Sequence, residues 1–371
     1  MKIKVKDVMA VMEKHFPLHL AEDWDNVGLQ IGSVNKEVKK IAVALDLDNH
    51  ILNEALKLEA DMIITHHPLI FKPLKKIEYN NYTGKLIKNL ITSDIAVYSA
   101  HTNLDAAEKG MNQVLAEKIG LVNIEPLYNG QEDKLIKLAV FVPLTHLDQV
   151  RQAIHEAGAG FIGNYSDCSF RTGGIGTFRP QEGAEPYLGS KDILEEVEEY
   201  RLETILYQHD AKKVVNAMLA AHPYEEAAYD IYPLLNRGKM YSIGRKGLLP
   251  EKTDLKTCAQ MVKTKLGLNN VRIAGEMEKE ISRVAVIGGA GASLINRIVK
   301  NEIDLVVTGD MKYHEAQEAN RHGIAILDAG HQETEQIVVP YLAELLKQDL
   351  YNLNCQGQIL VLKNHPVFKL L

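Results

Sequence analysis

The chain has 371 residues, 46% of them hydrophobic and 25% charged, with a formal net charge of −7. At about 150 residues per domain this length allows roughly two to three domains, and the composition excludes wholesale disorder. The acidic balance argues against an electrostatic grip on nucleic acid as the default partner.

The N-terminus, Met1-Lys2-Ile3-Lys4-Val5-Lys6-Asp7, leads into an amphipathic helix and lacks the apolar core of a signal peptide. No uninterrupted apolar run approaches the roughly 18 residues of a membrane span. Cys168, Cys258 and Cys355 are far apart and form no CxxC. They supply neither a disulfide framework nor a thiolate zinc site, and they point to a reducing compartment. The expectation is a cytoplasmic protein with no membrane partner.

Further along, the chain repeats itself. Residues 41–65, IAVALDLDNHILNEALKLEADMIIT, align without a gap on residues 284–308, VAVIGGAGASLINRIVKNEIDLVVT, at an offset of 243. Each copy reads as an apolar strand, a Gly or Asp turn, an amphipathic helix, and a second strand that opens on Asp61 or Asp304 and ends on Thr65 or Thr308. A third strand follows each copy, Ile95–Tyr98 in the first and Ile324–Leu327 in the second. Unbroken apolar strands of this kind belong in α/β sheets covered on both faces.

The segment between the copies has another rhythm. It reads strand Leu135–Pro143, helix Thr145–Gly158, strands Tyr165–Phe178 and Glu199–Gln208, helix Asp210–His222 and strand Tyr224–Leu234. The β-α-β-β-α-β order is ferredoxin-like and complete in itself. Asn129-Gly130 and Asn236-Arg237-Gly238 supply turn chemistry at its edges. The predicted fold class is therefore α/β: a duplicated α/β host, residues 1–130 and 238–371, carrying an inserted ferredoxin-like α+β domain, residues 131–237.

Four polar segments follow apolar strands of the host: His66-His67-Pro68, His101 to Asp105, Thr308-Gly309-Asp310, and His331 to Glu335. Ligands of open α/β sheets gather beyond the carboxyl ends of strands. His331 and Glu335 are i and i+4 on a helix expected to start after Gly330, so both project from one face. In regular strand geometry adjacent histidines point to opposite faces; from a strand end they could serve two neighbouring ions. Asp105 is placed to bridge, although capping a helix that begins near Ala106 is an equally ordinary role for it. Three imidazoles and two carboxylates suit Zn²⁺, Fe²⁺ or Mn²⁺ better than Ca²⁺ or Mg²⁺. A loop histidine at His66-His67 and a surface pair at His331 and Glu335 are the plainer alternatives.

Smaller features accompany these. Asp310 and His314, four apart, suit a supporting or structural role. Trp24-Asp25-Asn26 reads as a loop packed near the site, or as an ordinary Trp anchor. Gly288-Gly289-Ala290-Gly291 precedes a helix but is neither GxGxxG nor a Walker sequence, so it is a weak nucleotide signal. His222 at a helix end reads as structural.

Residues Leu20 to Leu29 (LAEDWDNVGL), Ile64-Thr65-His66-His67-Pro68, His101-Thr102-Asn103-Leu104-Asp105 and Gly330-His331-Gln332-Glu333-Thr334-Glu335 together resemble the Nif-three-like family of dinuclear-metal-centre proteins, often labelled GTP cyclohydrolase I type 2 homologues. The resemblance implies that His66, His67, Asp105, His331 and Glu335 coordinate two divalent ions per subunit, Zn²⁺ first with Fe²⁺ or Mn²⁺ as alternatives. It implies a ring-shaped homohexamer with its metal sites facing an internal cavity, and a CutA/PII-like insert as in some longer bacterial members. His101, one helical turn before Asp105, is the candidate catalytic residue, as a general base or as a group that orients a ligand. Two functions fit these residues. One is a metal-dependent hydrolase acting on a small anionic or heterocyclic molecule. The other is a non-catalytic metal-binding regulator or scaffold with the insert as its sensor.

Overall fold

The computed structural model describes residues 2–299, 302–353 and 357–368, so Met1 and Cys355 lie outside the described residues. The chain divides into two compact units, Met1–Gln131 with Tyr241–Leu371, and Glu132–Met240.

The first unit contains two large sheets, one for each copy of the repeat, beside a two-stranded pairing of Ile3–Lys4 with Glu37–Val38. In the first, strands Lys40–Ala44, Met62–Thr65 and Ala96–Ser99 are parallel, with Gln358–Val361 added in parallel at one edge and Gly28–Ile31 antiparallel at the other. In the second, Glu280–Ala290, Leu305–Gly309 and Ala325–Asp328 are parallel, flanked by antiparallel Arg245–Asp254 and Arg272–Ala274. Successive strand residues enter different cores. Ile41, Val43, Met62 and Ile64 pack into one cluster, and Ala42, Ala44 and Ile63 into another. Val284, Val286 and Leu305 separate in the same way from Ala285 and Val306. Both faces of each sheet are covered, which is why these strands read as unbroken apolar runs.

The offset of 243 survives in three dimensions. Ile41 pairs with Met62 as Val284 pairs with Leu305. Asp61 Oδ2 accepts the amides of Lys39 and Lys40 at 2.7 and 3.0 Å, and Asp304 Oδ2 accepts those of Ser282 and Arg283 at 2.9 and 2.8 Å. The shared aspartate thus ties the start of one strand to the start of the next. The copies differ in the helix between them. In the first it runs Asn49–Lys57, with Asp48 accepting the amide of Ile51. In the second it is a 3₁₀ turn, Ala292–Leu294, followed by the single helical turn Ile295–Ile298. Gly291 stands where the first copy has Asp48, and a glycine has no side chain with which to cap the helix.

The second unit has strands Leu135–Pro143, Ser169–Phe178, Glu195–Tyr207 and Tyr229–Pro233 in one antiparallel sheet, with helices Leu147–Glu156 and Ala211–Ala221. The strand order across the sheet is second, third, first, fourth. Its core is its own: Leu138, Val140 and Leu202 of the sheet meet Val150, Ile154, Val214 and Met218 of the helices. His222 is structural, as expected. Its Nε2 faces the carbonyl of Phe141 at 2.9 Å and its Nδ1 accepts the amide of Tyr224.

Candidate metal centre

His66 and His67 lie just past strand Met62–Thr65, where the chain leaves sheet geometry. The amides of both donate to one carbonyl, that of Leu45. Because the backbone turns there, the rings do not alternate as strand neighbours would. They lie side by side, with centroids 4.8 Å apart. Asp105 comes from the short helix Thr102–Ala106 and the pair His331 and Glu335 from helix His331–Glu335, each beyond the third strand of its own copy. All five residues meet within the first unit. One ligand atom from each of His66, His67 and His101 lies within 4.8 Å of the others, and the same holds for His67, His331 and Glu335. His67 belongs to both groups.

Every imidazole has its Nδ1 engaged. His66 Nδ1 faces the carbonyl of Ala100 at 2.9 Å, His67 Nδ1 faces Asp46 Oδ1 at 2.8 Å, His101 Nδ1 faces Asp25 Oδ1 at 2.9 Å, and His331 Nδ1 faces Asp310 Oδ2 at 2.7 Å. Carbonyls and carboxylates only accept, so the proton sits on Nδ1 and Nε2 is left as the basic nitrogen. This is the arrangement by which outer carboxylates orient metal-binding histidines.

The free atoms converge on Glu335. Its Oε2 is 3.2 Å from Nε2 of both His67 and His331, and its Oε1 is 3.7 Å from Nε2 of His66. Asp105 Oδ1 is 3.7 Å from the same His66 nitrogen. Two ligands bound at about 2.1 Å with a tetrahedral angle stand about 3.4 Å apart, so these separations suit shared coordination. His66 Nε2, Asp105 Oδ1 and Glu335 Oε2 are buried and make no hydrogen bond. Buried polar atoms are seldom left so, and a cation is the partner these would accept.

The electrostatics describe the same need. Burial pushes the Asp105 carboxyl up. Burial acts likewise on Glu335, but the imidazoles of His331, His66 and His67 facing it hold its carboxyl well below the ordinary range. Burial opposes charge on His67, yet Asp46 and Glu335 hold it up to about 10; Glu335 and Asp310 hold His331, despite burial, at about 9. Without a cation, protons occupy the nitrogens that a metal would take.

Neighbouring elements hold the site in shape. Asp25, its side chain fully buried, accepts from Thr102 at both the amide (2.9 Å) and the hydroxyl (2.5 Å) as well as facing His101. It therefore caps the Asp105 helix from a distant segment, and these bonds outweigh burial to bring its carboxyl down to about 2. Arg245, also buried, donates to the carbonyls of Ala106 and Ala107 at the other end of that helix. Trp24 and Phe71 pack edgewise around His101, with centroids 6.0 and 6.2 Å away.

A profile of the family Duf34/NIF3 (NGG1p interacting factor 3) matches residues 3–366. The chain belongs to the Duf34/NIF3 family. Among its curated relatives, proteins named GTP cyclohydrolase 1 type 2 homolog are 42% identical in Halalkalibacterium halodurans, over 93% of this chain and 94% of that protein, and 43% identical in Bacillus subtilis, over 88% and 87%. Among solved structures, a Bacillus cereus protein related to NIF3 superposes with a TM-score of 0.90 at 41% identity, covering the whole of both chains. The fold is the mixed α/β fold of NIF3 structures.

In this NIF3-family chain the residues named from sequence therefore gather in one place, His101 included. Asp105 does not cap a helix near Ala106, because the helix already starts at Thr102 and Asp105 lies inside it. Asp310 supports His331, whereas His314 is exposed with its ring against Tyr313. The Gly288 to Gly291 loop is no anion cradle. The amides of Gly288, Gly289 and Gly291 are taken by Asn112, Thr334 and Thr308. Gly289 has φ +62°, and a Cβ there would stand 2.2 Å from Glu335 Oε1. The glycine is what lets the carboxylate lie against the loop. Sequence reasoning missed Asp46 altogether. Its signal was its place past the first strand of the repeat, at the position that Gly289 fills in the second copy.

Proposed function

We propose that the first unit holds two divalent cations in one dinuclear centre and hydrolyses a small anionic or heterocyclic substrate. The observation that carries this reading is the set of buried, unpartnered ligand atoms facing one another, each imidazole steadied at its other nitrogen. When bound, such ions supply Lewis-acid activation of water and of a substrate oxygen. His66, His67, Asp105, His331 and Glu335 would hold them, Zn²⁺ first and Fe²⁺ or Mn²⁺ as alternatives. His101 accepts the proton of the attacking water at Nε2, and Asp25 stabilises the imidazolium that forms. Trp24 and Phe71, both exposed beside His101, offer aromatic faces to a planar substrate.

The name carried by the relatives makes GTP the first compound to test. We further propose a cytoplasmic homohexamer with a ferredoxin-like, CutA/PII-like insert. Among the described residues, no helix is long and apolar enough to cross a membrane. Assembly is supported by Phe170, Ile175, Ile231 and Tyr232, exposed on the edge strands of the second unit's sheet. The insert's independent core keeps a second reading in view, a non-catalytic metal-dependent regulator sensing through that unit.

The experiment is a turnover screen of metal-loaded protein against GTP and a panel of phosphoesters and cyclic amides, beside Asp105→Ala. Hydrolysis that disappears in the variant while assembly is kept is the expected result. Metal-loaded wild type with no turnover on any compound would favour the regulator.

A further inference from the structure

The second unit contains a cavity of about 390 Å³ that no part of the proposed metal chemistry uses. Four aromatic residues line it, Phe141, Phe178, Tyr187 and Tyr224. Tyr224 stands between Phe178 and Tyr187, with ring centroids 6.0 and 6.1 Å away and planes inclined by 55° and 40°. His146 and His222 back Tyr187 and Tyr224 edgewise, at 5.6 and 5.0 Å, which keeps these two rings in place.

The charge inside the cavity has one sign in excess. Glu199, Glu225 and Glu226 line it against a single guanidinium, that of Arg179. Glu225 is already committed through one oxygen, which accepts the amide of Glu185. Glu199 makes no ion pair among the described residues. Its carboxylate lies across the neighbouring strand over Gly176, where a Cβ would come within 2.2 Å of Oε2. The absent side chain at position 176 is therefore what opens room for the acid. The Tyr224 hydroxyl is buried beside it. Burial and Glu199 raise its pKa, so the phenol stays neutral.

Electron-rich ring faces around an uncompensated carboxylate suit an organic cation better than an anion or a neutral solute. We propose that this cavity is a binding site for a small organic cation of the alkylammonium class. The ammonium would sit against Tyr187, Tyr224 and Phe178 with Glu199 as counter-charge. An anionic ligand would have to approach three carboxylates past one exposed arginine.

The test is calorimetric titration of the full chain with choline and with tetramethylammonium. The neutral choline isostere 3,3-dimethylbutan-1-ol and inorganic phosphate serve as controls. Saturable binding of both cations, about tenfold or more tighter than the isostere, is expected. Glu199→Gln should weaken it about tenfold, and Tyr187→Ala comparably. Gly176→Ala gives an independent arm, since its methyl displaces only the flexible end of Glu199 and leaves every ring in place; it too should weaken binding. Unchanged far-UV circular dichroism keeps these losses separate from unfolding. Equal affinity for the isostere would make the cavity merely apolar and overturn the proposal. So would binding of phosphate in place of the cations, no saturable binding at millimolar cation, or undiminished binding in both Glu199→Gln and Gly176→Ala.

Discussion

His67 and Glu335 lie on opposite copies of the duplicated unit, and their facing atoms are 3.2 Å apart. Asp46 on one side of His67 and Glu335 on the other leave the ring no freedom to turn away. Asp46→Ala should therefore weaken metal binding about 10–100-fold without unfolding the protein, because it removes the group that orients the ligand and not the ligand itself. Competition with a chromophoric chelator measures this. Unchanged affinity would make Asp46 a bystander.

His67 and His331 have their pKa raised from 6.5 to about 10 and about 9, and Glu335 is lowered from 4.5. A raised imidazole contributes stability that is fully present below 6.5 and lost as the pH climbs through its folded value. A depressed carboxyl contributes stability that is present above 4.5 and lost as the pH falls through its folded value. Metal-free protein should thus lose thermal stability between about pH 6.5 and 10, and again in acid well below 4.5. Metal has to displace these protons, so its apparent affinity should rise over the same alkaline window, with protons released on binding. Thermal scans of chelator-treated and Zn²⁺-loaded samples across pH check both signs. A flat alkaline limb in the metal-free protein would contradict the coupling.

Gly289→Ala places a methyl where Glu335 Oε1 now lies, on a backbone in the left-handed region. The backbone term alone costs about 1–2 kcal/mol. The carboxylate is the easier group to move, so the expected outcome is a folded protein with lowered metal content. Full metal content would show that Glu335 tolerates the displacement.

The two aspartates of the repeat make a matched pair. Asp61→Ala and Asp304→Ala each leave two backbone amides without their acceptor. Each should cost about 1–3 kcal/mol in urea unfolding, by similar amounts. A large inequality would mean that the copies no longer bear equivalent loads.

Much of this architecture is legible in the chain. The repeat is readable because its strand pairing and its Asp61 and Asp304 ties are local and keep one offset. The insert is readable because each of its strands and helices has its own period. His66, His67, Asp105, His331 and Glu335 are visible because each follows an apolar strand, but that the two copies pack so as to bring these ends together is not encoded in the spacing. Other parts come from contacts that sequence spacing does not encode. Asp25 reaches Thr102 and His101 from far upstream, Arg245 closes the other end of the same helix from far downstream, and Gly289 matters only because Glu335 arrives beside it. The helical segment of the second copy is legible in its apolar spacing, but its opening 3₁₀ turn is not.

His101 separates two chemistries. As a base it can be replaced by Asn with metal content unchanged and turnover lowered about 10²–10⁴-fold. Asp25→Asn should then alter the pH profile of turnover more than the metal content. Loss of one ion in His101→Asn would make His101 a ligand of the first group instead.

The most direct test of the dinuclear centre is metal stoichiometry by elemental analysis of untagged protein, beside His67→Ala and Glu335→Ala. The account predicts close to two ions per chain in the wild type and a fall in both variants, since His67 and Glu335 face each other across the two copies. No bound metal after reconstitution with Zn²⁺, Fe²⁺ and Mn²⁺, or two ions retained in both variants, would contradict it.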